Sequence, residues 1–138
     1  METYSFINKE FLEVNESTRE ICFIKFDSGT VNLIGKITYQ DQLEFDNILG
    51  LIKKFDSEIK NFLNKNKYNP LYNHNPADYS KYKDKKKAVE IILIGLDLVN
   101  KFTEAINKNL ATIKGDLDRF SEIWSFRLIS MKKVFETL

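Results

Sequence analysis

His74 is the only histidine in 138 residues, and Asp78 follows it four positions on. An imidazole changes charge near neutrality and can serve as a general base, with a carboxylate to orient it. The pair has no companion nucleophile. Cys22, the single cysteine, lies in a run that reads as a buried strand, and no serine sits in a recognisable catalytic context. Metal sites usually draw several His, Cys or carboxylate ligands together, and one imidazole does not supply them. His74 therefore reads as a loop residue, with no catalytic residue, metal or cofactor implied.

A second constellation is Glu90, Asp97, Lys101, Glu104 and Lys108, at spacings of 7, 4, 3 and 4. These share one helical face, and two carboxylates on a mostly apolar helix could exchange protons. Asp97 with Lys101 and Glu104 with Lys108 are also ordinary i,i+4 ion pairs. The simpler expectation is that this face meets water. The five glycines are scattered, so neither a phosphate loop nor a dinucleotide fingerprint can be built. Kinase, hydrolase and metalloprotease motifs are also missing. The sequence names no reaction, and the expectation is a protein that is not an enzyme.

Lys65 to Lys87 is the most distinctive stretch. It holds Tyr68, Tyr72, Tyr79 and Tyr82, both prolines (each after Asn), and the run Lys81 to Lys87. Asn-Pro disfavours helix and signals turns. A connection this long inside a compact domain is uncommon unless it is functional or disordered. Tyrosine joins a rigid apolar ring to a polar tip and is enriched at binding sites. The expected partner-binding set is Tyr68, Tyr72, His74, Tyr79, Tyr82, Lys83, Lys85 and Lys86, facing an acidic protein partner. The alternative is a nucleic-acid module in which tyrosines stack on bases and lysines neutralise phosphates. A net charge of +1 and only three arginines oppose it. The bland alternative folds the tyrosines back onto the domain. Four lysines near a helix start oppose its dipole, which tilts the expectation toward a role for them.

Charge is uneven around that stretch. Residues 1–59 carry −5, residues 60–87 carry +6, and residues 88–138 are balanced. Such asymmetry bears on partners, not on fold. The chain length fits one domain, 1–138. Lys, Asn and Ile supply 46 residues, a bias that suggests an AT-rich bacterial or phage genome. One cysteine suits a reducing compartment. The first residues show no signal peptide. Ala88 to Val99, the longest apolar run, is too short and too charged to span a bilayer. The expected location is cytoplasmic, away from membranes, with homo-oligomerisation left open.

The elements that would position these residues divide the chain. Residues 9–39 read as a β meander. Val31, Leu33, Gly35, Ile37 and Tyr39 alternate with Asn32, Ile34, Lys36 and Thr38 at a period of two, after a turn at Asp27 to Thr30. Phe11 to Val14 reads as a first strand, with a short helix from Phe6 as the alternative. From Asp41 the period changes. Phe45, Ile48, Ile52, Phe55, Ile59 and Phe62 form one stripe on a helix over 41–64, capped by Asp41. The Tyr/Asn/Pro-rich connection covers 65–83. A central helix is expected over 84–107 and a C-terminal helix over 116–138, with Leu117, Phe120, Trp124, Leu128, Met131, Phe135 and Leu138 inward. Gly50 and Gly95 sit inside helices, where each costs about 1 kcal/mol against Ala. A close crossing of the two helices there would explain both. The fold class that results is α+β: an N-terminal antiparallel sheet of two or three strands, then three packed helices. The functional expectation is a small intracellular protein-interaction protein, such as an inhibitor, immunity-type protein or adaptor. Nucleic-acid binding is second, and an enzyme of unknown reaction third.

Overall fold

The computed structural model describes residues 1–7, 9–65, 84–108 and 111–137, with the backbone alone for 63–65 and 111–114. Its strands are β1 (Glu2–Ser5), β2 (Glu10–Asn15), β3 (Glu20–Asp27), β4 (Thr30–Tyr39) and β5 (Ala111–Gly115). They form one antiparallel sheet in the order β1-β2-β3-β4-β5. The helices are α1 (Gln42–Lys65), α2 (Lys85–Lys108) and α3 (Leu117–Thr137), and they share a single core with one face of that sheet. The α+β class is as expected. The expected two or three strands are corrected to five among the described residues. β1 and β5 are four and five residues long, too short to display a period of their own. Pairing with a longer neighbour makes them strands.

Period-two patterning builds β2. Glu10, Leu12 and Val14 face the helices, while Phe11, Glu13 and Asn15 face away. At the other end of β3, Ser28 and Gly29 both have positive φ (50° and 79°). That is the two-residue turn whose twist suits a hairpin.

β4 departs from its sequence pattern. Phe23 pairs with Gly35, but Ile24 pairs with Leu33, so Ile34 is an extra residue without a partner on β3. A bulge of this kind resets the alternation. Gly35, Ile37 and Tyr39 face the core, whereas Val31 and Leu33 turn to the opposite face. The single-faced alternation expected from Val31 to Tyr39 is therefore wrong at its first two positions. The bulge is held from β5. The Asp116 N–H donates to the Ile34 carbonyl at 2.9 Å. Gly115 precedes it at φ +83°, and a Cβ there would overlap that same carbonyl.

Asp41 caps α1 by accepting from the Leu43 N–H at 2.9 Å, and the whole stripe from Phe45 to Phe62 is buried. Asp56 on the same helix accepts from the Ser5 N–H at 2.8 Å, tying α1 to the edge strand β1. Gly95 on α2 is a point of close approach. A Cβ there would stand 2.9 Å from the Phe55 ring and 3.3 Å from Leu128. Gly50 is not: it is exposed, with nothing near it. The expected crossing is thus real at one glycine and absent at the other. On α3, Leu117, Trp124, Leu128, Met131 and Phe135 are buried as expected, and Phe120 partly so. No described helix is long and apolar enough to cross a membrane.

Phe6, in the β1–β2 connection, joins the layers. Its ring meets Phe23 of β3, Phe55 of α1, Phe102 of α2 and Trp124 of α3 edge-on, at centroid distances of 5.0–6.4 Å. Edge-to-face pairs add about 0.5–1.5 kcal/mol each beyond burial. One residue outside the regular elements thereby fixes the sheet against the three described helices.

Candidate functional site

Most of the residues singled out by sequence lie outside the described residues: Tyr68, Tyr72, His74, Tyr79, Tyr82 and Lys83. Lys85 and Lys86 open α2, Lys85 half-buried and Lys86 exposed. Asp84 caps that helix, accepting from the Lys87 N–H at 2.9 Å. Lys87 itself pairs with Glu58 of α1 at 2.6 Å and with Glu90 at 3.5 Å. The dipole conflict expected at this helix start is offset by these carboxylates, and part of the basic island is spent on holding α1 to α2.

The carboxylate face of α2 behaves as a solvated face. Glu90, Asp97 and Glu104 are exposed, and Asp97 pairs with Lys101 at 3.4 Å. Cys22 is corrected from a buried position to a half-buried one on the sheet face that points away from the helices. Burial first, and Glu20 next, push its thiol up, the opposite of what a nucleophilic cysteine needs.

The feature that sequence reasoning missed is that outward sheet face. Register places Phe11 beside Ile24, Ile24 beside Leu33, and Phe26 beside Val31. Phe11 and Phe26 also meet edge-on at 5.1 Å. These five residues form one apolar patch across β2, β3 and β4. Ile24 is covered by its neighbours, but Phe26, Val31 and Leu33 are 44%, 57% and 64% exposed. The other half of the face is polar, with Glu13, Asn15, Thr38 and the Glu20–Lys36 pair at 2.7 Å. A contiguous apolar patch with a polar margin is the arrangement of interaction surfaces. A smaller exposed set, Ile123, Phe126 and Ile129, lies on α3. Phe126 and Ile129 line a groove of about 400 Å³ with Asn100 and Thr103 of α2.

On the inward face a charged residue sits where the pattern calls for an apolar one. Glu10 shares its register with Leu12 and Val14 and is 2% exposed. Lys25, its cross-strand partner, brings Nζ to 4.0 Å from Oε2. Burial pushes the carboxyl up to about 7, against the downward pull of the Trp124 indole N–H, Lys25 and Arg127. Neither Glu10 Oε1 nor Trp124 Nε1 closes a hydrogen bond of normal geometry. Lys25 also lies over the Phe120 ring, 5.6 Å from its centroid, and lines a cleft of about 390 Å³ with Asn32, Asp116 and Arg119. One signal for Glu10 was legible: a carboxylate in phase with two core aliphatics.

Among the described residues no group of three His, Cys, Asp or Glu side chains is placed to hold a metal. Comparison of the chain with protein-family models, curated proteins and solved structures returns no match.

Proposed function

We propose that this chain is a small protein-binding protein, an inhibitor, immunity-type protein or adaptor, and that the open sheet face is its principal contact. The observation that carries this is the patch Phe11, Ile24, Phe26, Val31 and Leu33, contiguous in register and left uncovered by every described element. With each of the three about half exposed, the burial left for a partner to gain is about 1 kcal/mol apiece, roughly half the value for a fully exposed side chain. By residue type, the Tyr68 to Lys86 segment supplies a second contact, suited to an acidic surface on the same partner. A cytoplasmic setting belongs to the same proposal, supported by the lone cysteine.

The nucleic-acid alternative keeps Lys85 and Lys86 as its described cations, and the engagement of Lys87 by Glu58 weakens it. The test is affinity capture with purified variants. Phe26→Ser with Leu33→Ser should abolish recovery of the captured partner while leaving the chain folded, with a single cooperative melting transition. Tyr72→Ala with Tyr79→Ala should weaken capture less. Undiminished capture by the sheet-face variant sinks the proposal. Salt-sensitive DNA or RNA binding that Lys85→Glu with Lys86→Glu removes would install the alternative.

A further inference from the structure

Glu10 is the one acidic side chain in the described structure whose burial nothing structural repays in full. Its carboxyl is nearly inaccessible, one oxygen accepts no hydrogen bond, and the Trp124 N–H beside it is buried without an acceptor. Two cations face it. Lys25 comes from β3, at the outer limit of an ion pair, and Arg127 comes from α3. The carboxyl therefore stands where β2, β3 and α3 meet, under the ring cluster that joins sheet to helices.

We propose that Glu10, with Lys25, Trp124 and Arg127, is a proton-operated latch between the β2–β3 hairpin and α3: neutral it lets the layers close, and ionised it loosens them. A neutral carboxyl brings no charge into this buried site, and Lys25, partly exposed, then rests over Phe120. Ionisation puts a charge in a buried place with one oxygen unsatisfied, which draws Lys25 and the Trp124 N–H toward the carboxylate and away from their positions in the closed packing. Buried charges without full hydrogen bonding are strongly disfavoured. Lys25 sits one residue from Phe26 on β3, so the change is delivered next to the open-face patch.

The sign of the pH effect follows. The unfolded carboxyl titrates near 4.5, and the folded one near 7. Below 4.5 both states are protonated and the latch contributes fully. As pH rises from there, the unfolded chain loses its proton first, so stability falls until about 7 and then levels. Above 7 the folded state carries the charge.

Trp124 is the only tryptophan, so its fluorescence reports this site alone. His74→Asn removes the one histidine that would titrate in the same range. In that background, Trp124 emission should change with a midpoint near pH 7. Glu10→Gln should abolish the transition and flatten the melting temperature between pH 5 and 8. Lys25→Gln should move the midpoint upward. A transition that survives Glu10→Gln, or a midpoint at an ordinary carboxylate value near 4, overturns the proposal. The readout needs no partner, so its failure would leave the proposed binding role standing.

Discussion

Phe23 and Phe26 are the same residue type on the same strand, three positions apart. Phe23 is fully buried against Phe6, Phe102 and Trp124, and Phe26 is 44% exposed on the other side of the sheet. Their odd spacing puts them on opposite faces of the strand, but no local residue says which face is covered. What differs is the layer above each face: the three described helices cover one, and no described element covers the other. Hydrophobicity is therefore a poor guide to the core here, and the position of the covering layer is a good one. The exposed face then becomes a candidate surface because it is as apolar in part as the face that made the core.

That contrast can be broken or sharpened by substitution. The largest effect is expected at Phe6, the ring shared by all layers. Phe6→Ala should cost about 3–5 kcal/mol in denaturant unfolding, and a loss under 1 would show that the five-ring cluster does not hold the faces together. Gly95 comes next. Gly95→Leu pushes a side chain into Phe55 and Leu128 and should cost about 1–3 kcal/mol. Gly50→Ala, in open space on α1, should instead gain up to about 1 kcal/mol. Equal responses at the two glycines would remove the packing distinction between them. A smaller loss than at the core is expected on the open face. Phe26→Ser with Leu33→Ser should cost about 1 kcal/mol per site, including the edge-on contact of Phe26 with Phe11, and a loss near that of Phe6→Ala would mean the outward patch is a second core and not a contact surface.

Legibility in the sequence followed the range of the interactions. Helix α1 was expected over 41–64 and runs Gln42–Lys65, and α2 was expected over 84–107 and runs Lys85–Lys108. Their signals are local: a 3.6-residue stripe capped by Asp41 for α1, and the apolar run from Ala88 to Val99 for α2. β1 and β5 were not legible, because each depends on a ladder offered by a strand distant in sequence or too short to announce itself. The candidate site divides the same way. Glu10 could have been found from its phase with Leu12 and Val14. The open-face patch could not, because its members are read as core residues until the register is known.

The sequence by itself determined the α+β class, the helix spans and the Asp41 cap, the hairpin turn at Ser28–Gly29, and the absence of any catalytic motif. All of these rest on contacts within a few residues. Tertiary structure alone decided which face of the sheet is covered, and where Val31 and Leu33 go. A single unpaired residue, Ile34, held by the Asp116 N–H across the turn that only Gly115 can make, inverts the two positions before it. Strand alternation has a period of two, so one inserted residue moves every side chain beyond it to the other face. That parity is set by pairing between distant strands, and no local pattern carries it.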